Sequence, residues 1–253
     1  MPDEVLIERM SWPQVRDALA AGKRTVLLPV AAMEQHGPHM AIGTDTFLGY
    51  ETARRLAEAL GDALVAPAIS IGYSVGHLPM PGTVTISEET LTTVITEVAD
   101  SLAHHGFRDI VFVISHGGNY GAVNAALPRL RAAHPEVRFH AQTDFESGMG
   151  DRAALYRELG VEARRMGVHA GQGETSMMLA SHPELVRMEA AVEGFTGDAS
   201  IRWKAKVPPP MDEMSPTGIL GDARGSTAEI GEALFNQNIT RWVDAIRAGT
   251  YAG

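Results

Sequence analysis

The chain contains no cysteine. That removes disulfides, thiolate nucleophiles and cysteine-bound zinc as explanations for anything it does. It also lacks an apolar run approaching the ~20 residues that a membrane-spanning helix requires. The N-terminal stretch MPDEVLIERM carries acidic residues where a secretory signal would carry basic and apolar ones, so a cytoplasmic setting is the expectation. Basic residues are the minority charge, with 21 Lys and Arg against 31 Asp and Glu and a net charge of −10. An acidic chain of this kind is a poor partner for a nucleic-acid backbone or an anionic membrane, which leaves small-molecule chemistry open. No heptads, short repeats or low-complexity tracts are present.

What remains is a strand, loop and helix rhythm. The runs Thr25 to Val30 (TVLLPV) and Asp109 to Ile114 (DIVFVI) are short and apolar, as strands buried on both faces are. Shorter strands are expected at Ala63 to Ala66 and Val137 to Gln142. Helical patterns fall at about Thr46 to Leu60, from Ser87 as N-cap to Gly106 as C-cap, onward from the HGGN loop to about Ala133, and at about Thr227 to Ala248. Alternation of this kind predicts right-handed crossovers and a mostly parallel sheet covered on both faces, with ligands binding beyond the carboxyl ends of its strands. We expect one domain over residues 1–253, with an irregular segment at about 194–225 that covers the site or contacts another subunit.

Metal-loving side chains sit in the Gly-rich connections. Glu34, His36 and Asp45 lie in LLPVAAMEQHGPHMAIGTD, His116 in VFVISHGGN and Glu174 in HAGQGET. Carboxylates and imidazoles at strand ends suit a hydrolytic divalent-metal site. Taken singly, each has a plainer explanation: Asp45 could cap a helix, and His116 could be an exposed histidine on a turn eased by Gly117 and Gly118. Glu174 falls in the first turn of a helix running to Ser181, where the helix dipole favours a carboxylate. His169, five residues earlier, could shuttle a proton, stand behind the ligands or be an extra ligand. His39 and His77 are lower-ranked candidates, and SHGGN is not a G-x-S-x-G elbow, which argues against a serine hydrolase.

These segments, together with HLPMPGT and SPTGILGDARGSTAEIG, resemble the creatininase family of metal-dependent amidohydrolases over nearly the whole chain. The resemblance implies a three-layer α/β/α sandwich around a parallel sheet, a homo-oligomer of hexameric type, and two divalent ions (Zn²⁺, Mn²⁺ or Fe²⁺) bridged by a water and a carboxylate. Carried over by position, Glu34, Asp45 and His116 match the ligands of one ion, and His36 with the shared Asp45 matches those of the other. Creatinine-hydrolysing members carry a further carboxylate where this chain has Gly118, and Glu174 is the replacement expected from the resemblance. His169 matches the proposed acid/base histidine, and Asn119 with the Gly117 and Gly118 backbone is expected to assist the oxyanion. The tryptophans that enclose creatinine would fall near Thr143 and Arg165, so the expectation is hydrolysis of an amide-type C–N bond in a small polar substrate, cyclic ones included, other than creatinine itself. The alternatives are a formamide deformylase using Arg131, Arg165 or Lys204 for phosphate, a short-peptide peptidase, and a non-catalytic metal-stabilised scaffold or sensor.

Overall fold

The computed structural model describes residues 4–143, 153–201 and 209–251. Four parallel strands form the sheet in the order β2-β1-β3-β4: β1 Thr25–Val30, β2 Ala63–Val65, β3 Asp109–Ile114 and β4 Arg138–Ala141. β1 and β3 pair along their whole length, from Thr25 opposite Asp109 to Val30 opposite Ile114. Both therefore end at the same level, and the loops that follow them emerge side by side.

Side-chain alternation along these strands builds the layers. Val26, Leu28, Val30, Ile110 and Phe112 face one side, packing on helices α3 (Glu88–His104) and α4 (Tyr120–Ala133) through Leu91, Ile95, Val123 and Leu127. Leu27, Val111 and Val113 face the other, against Ala53, Leu56 and Ala57 of α2 (Thr44–Leu60) and Trp242 and Val243 of the C-terminal helix Ala228–Ala248. A period of two in two fully buried strands feeds two separate cores, which is the expected three-layer sandwich.

Pro29 sits inside a central strand, where a missing N–H normally breaks a ladder. Here β2 pairs only as far as Val65, opposite Leu27, and the Pro29 carbonyl is taken by the Ile69 N–H at 2.9 Å. The proline therefore lies beyond the strand that its N–H would have served.

Several ends differ from the sequence expectation. Ser87 caps α3 by accepting from the Thr90 N–H, but the C-cap is His105, and Gly106 follows it at φ +102°. β4 is shorter than expected at both ends. A helix at Trp12–Ala20 was not anticipated, although Ser11 and Gln14 form a capping box with Pro13 at its start. Of the irregular segment, residues 202–208 lie outside the described residues. Its base is pinned by antiparallel contacts of Glu193, Gly194 and Phe195 with Asp222, Gly221 and Ile219.

Candidate metal centre and active site

The connections after β1 and β3, the start of α2 and the start of the helix Gln172–Ser181 meet beyond the carboxyl ends of the strands. This brings together the predicted residues Glu34, His36, Asp45, His116, His169 and Glu174. Three overlapping sets offer ligand atoms all within 4.8 Å of one another: Glu34, Asp45 and His116; His36, Asp45 and Glu174; and Glu34, His36 and His169. Asp45 belongs to the first two, reaching His36 Nε2 at 3.3 Å with Oδ1 and His116 Nδ1 at 3.4 Å with Oδ2. A carboxylate between two ligand sets is the arrangement that a bridged pair of cations requires.

Local structure holds each donor. Asp45 lies in the first turn of α2, where an anion suits the helix dipole. Glu174 lies in the first turn of its own helix, and its Oε2 accepts from the Ala170 N–H at 2.6 Å and stands 3.7 Å from His36 Nε2. Ala170 has φ +52°, the one positive value of a non-glycine residue among those described, so strain is concentrated beside the site. His36 Nδ1 donates to the Glu34 carbonyl at 3.1 Å, and His116 Nε2 donates to the Tyr73 carbonyl at 3.0 Å. In each ring the other nitrogen faces the carboxylates, as in metal-binding histidines oriented by a carbonyl, and a cation bound there would take the place of the proton it carries in the ion-free chain. Gly118 is the only residue type that fits after this turn: a Cβ there would lie 2.3 Å from the Tyr73 carbonyl oxygen and 2.4 Å from His116 Nε2.

Burial makes these groups costly to leave as they are. Glu34, His36 and Asp45 are at most 2% exposed. Both Glu34 carboxylate oxygens, His36 Nε2 and Asp45 Oδ2 have no hydrogen-bond partner. Unsatisfied buried carboxylates converging on imidazole nitrogens fit divalent cations well. The charges respond accordingly. Burial alone would raise the Glu34 carboxyl, but His116, His77 and His169 outweigh it and hold it well below its usual range. Burial alone would lower His36, yet Asp45, Glu174 and Glu34 push it up to about 9. His116 is raised by Glu34 and Asp45 against the same burial. His169 goes the opposite way, held well below its ordinary value by burial and by His36 and His77.

The family model for creatinine amidohydrolase matches residues 8–246. The chain belongs to the creatininase family. A creatinine amidohydrolase of Pseudomonas putida is 32% identical over 267 residues, covering 98% of both chains. A mycofactocin precursor peptide peptidase of Mycolicibacterium smegmatis is 32% identical over 227 residues, covering 88% of this chain and 84% of that one. A manganese creatininase structure superposes with a TM-score of 0.79 at 28% identity, covering 98% of this chain and 99% of that one. As a creatininase-family protein the chain is a hydrolase acting on C–N bonds, and its donor cluster can bind metal.

Asn119 departs from the creatininase-based expectation. Its Nδ2 donates to the Val30 and Ala31 carbonyls at 3.2 and 2.9 Å, and its Oδ1 accepts from the Tyr73 N–H at 3.0 Å. Both amide protons are spent on backbone, so this side chain ties the β1 end to the 73 loop rather than donating to a substrate oxyanion. Sequence reasoning ranked His77 low, yet it is 4% exposed with Nε2 3.6 Å from Glu34 Oε1. His39 is fully buried, bonds Thr175 Oγ1 through Nε2 at 2.8 Å, and is lowered to about 4 by burial and by His36. Their place in HGPH and HLPMPGT, between glycines and prolines, was the available signal.

A cavity of about 160 Å³ adjoins the cluster. His169 and Glu174 form the wall it shares with the donors, and Ser115, Gln142, Asn238 and Arg241 supply other polar lining. Arg165, expected near the substrate, is tied to Asp222 at 3.1 Å. Arg131 points to the Phe139 carbonyl at 3.5 Å, and Lys204 lies outside the described residues.

Proposed function

We propose that this protein hydrolyses an amide-type C–N bond in a small polar substrate at a pair of divalent cations, Zn²⁺ or Mn²⁺. Glu34, Asp45 and His116 would hold one, and His36, Asp45 and Glu174 the other. The observation that carries the reading is the Asp45 carboxylate, buried between two ligand sets with an oxygen that has no hydrogen-bond partner. Cations bound there would supply a water acidified toward neutrality and an electrophile for the substrate carbonyl.

The protein's own groups do the rest. His169 Nε2 donates to the Gln35 carbonyl at 2.8 Å, which turns Nδ1 toward Glu34 Oε1 at 3.4 Å. A neutral Nδ1 in that place can take a proton from the attacking water and pass it to the departing nitrogen. The described parts of the 194–225 segment, pinned at their base, are assigned to one domain with the sheet, as a cover for the site or a contact with another subunit. The cavity favours a compact substrate, since pockets that hold drug-sized ligands measure roughly 300–1,000 Å³ and this space is about 160 Å³.

Short-peptide cleavage is the second reading, favoured by the mycobacterial relative. A homo-oligomer, hexameric as the family resemblance implies, and a cytoplasmic setting belong to the same proposal. Exposed Ile42, Ile71, Val75, Leu78 and Val84 in the loops around the site support the oligomer. No helix among the described residues is long and apolar enough to cross a membrane.

Elemental analysis of the purified protein, followed by a screen of cyclic amides, formamides and short peptides with and without chelator, tests the proposal. Two ions per chain with chelator-sensitive turnover of a cyclic amide is the expected outcome. Turnover of peptides alone would replace it with the second reading, and bound metal without turnover of any class would favour a scaffold or sensor.

A further inference from the structure

Gln35 stands between two candidate ligands and belongs to neither ligand set. Its side chain is 7% exposed. Its amide orientation is fixed from outside the site: Oε1 accepts from the Gly37 N–H at 2.9 Å, and Nε2 donates to the Gly218 carbonyl at 3.0 Å. One amide proton remains, with two histidine nitrogens in reach, His169 Nε2 at 2.9 Å and His77 Nδ1 at 3.2 Å. His169 Nε2 also lies 2.8 Å from the Gln35 main-chain oxygen, which can only accept, so that nitrogen already carries a proton. The remaining amide proton therefore goes to His77 Nδ1. His77 is left with its own proton on Nε2, the atom 3.6 Å from Glu34 Oε1.

We propose that Gln35 is a positioning residue for the metal ligand Glu34: it fixes His77 in the Nε2–H form that faces this carboxylate, while its main chain fixes His169 on the other side. The inference rests on the metal reading proposed above. The two imidazoles set by one residue then face the same oxygen in different forms: His77 presents an N–H at 3.6 Å, which acts on the charge of the carboxylate rather than as a hydrogen bond, and His169 presents the Nδ1 lone pair at 3.4 Å. The device also reaches the covering segment. Gly218 has φ +72°, and a Cβ there would lie 2.0 Å from Gln35 Oε1, so the amide is seated directly on that backbone.

The test uses the full chain with ¹⁵N-labelled histidine, with and without Zn²⁺, together with Zn²⁺ titration by calorimetry. Wild-type His77 should show a single tautomer with Nε2 protonated and Nδ1 unprotonated. Gln35→Leu should mix or reverse that tautomer and weaken Zn²⁺ binding about 10–100-fold, the usual cost of losing a group that orients a ligand. Gly218→Ala, which displaces the amide, should give the same signature. His77→Gln retains an N–H donor and should keep most of the affinity that His77→Leu loses. The proposal is overturned if wild-type His77 is protonated on Nδ1, or if Gln35→Leu keeps both the tautomer and the affinity. Should Gln35→Leu fail to fold, the wild-type spectrum and the two His77 variants decide alone, and equal affinity of those variants counts against it. A wild type that binds no Zn²⁺ would sink the metal reading, whereas the tautomer in the ion-free chain would still decide the role of Gln35.

Discussion

The amino and carboxyl ends of β1 and β3 lie in the same two strands and obey opposite rules. At the amino end, Asp109 is matched to its surroundings, receiving His140 Nε2 at 2.7 Å and Arg138 Nε at 2.7 Å. Between the ends, Leu27, Leu28, Ile110 and Phe112 are fully buried among apolar neighbours. At the carboxyl end, a few residues further on, carboxylate oxygens and an imidazole nitrogen are buried without hydrogen-bond partners. The Asp109 carboxylate at one end is paired within the protein, whereas both oxygens of Glu34 and Oδ2 of Asp45 at the other have no hydrogen-bond partner. Unpaired buried polar atoms occur elsewhere, His140 Nδ1 among them, but at the carboxyl end unpaired carboxylate oxygens and an imidazole nitrogen converge, and that convergence marks function more clearly than any single side chain there.

The largest break in this comparison comes from the shared carboxylate. Asp45→Ala should abolish binding at both cation positions, and with it all chelator-sensitive turnover, while far-ultraviolet circular dichroism stays native. Loss of only one ion per chain would show that Asp45 does not bridge. Phe112→Ala should do the reverse, lowering unfolding free energy by about 3–5 kcal/mol in denaturant titrations, as large core truncations do, while the metal content of the folded fraction is unchanged. A lower metal stoichiometry in that variant would mean that the core and the site are not separable.

Chelation gives a smaller effect. A cation present at 100 times its dissociation constant stabilises the folded state by about 2.7 kcal/mol, so excess chelator should lower the melting temperature of the wild type and leave Asp45→Ala unmoved. The matched end supplies the smallest effect. Burial would raise the Asp109 carboxyl, but His140 and Arg138 lower it below its ordinary value. Its contribution is therefore present above the unfolded value near pH 4 and is lost as pH falls through the lower native one. Asp109→Ala should cost about 2 kcal/mol at pH 7, and calorimetric scans should show the gap to wild type closing at strongly acid pH. A gap that widens on acidification would reverse the assignment.

Local signals made much of this legible in advance. TVLLPV and DIVFVI are strands over the expected residues because a six-residue apolar run between turns has few other uses, and the last helix, capped by Thr227, covers nearly the expected span. That Glu34, His36, Asp45, His116 and Glu174 would meet was legible because Gly-rich loops after apolar strands gather at one edge of a parallel sheet. Strand order was not, since it depends on crossovers that no local pattern records. Asn119 was misread for a similar reason: HGGN places an amide near the chemistry, but only the fold shows that the Val30, Ala31 and Tyr73 backbones consume it. His77 was ranked low and Gln35 passed over because their partners lie 42 and 183 residues away.

Anomalous diffraction from crystals equilibrated with Mn²⁺, or with Zn²⁺ in a parallel set, tests the central claim most directly. The account predicts two peaks, one among Glu34, Asp45 and His116 and one among His36, Asp45 and Glu174, each touching an oxygen of the Asp45 carboxylate. A single peak, or two peaks that leave Asp45 without a cation on both oxygens, would contradict it.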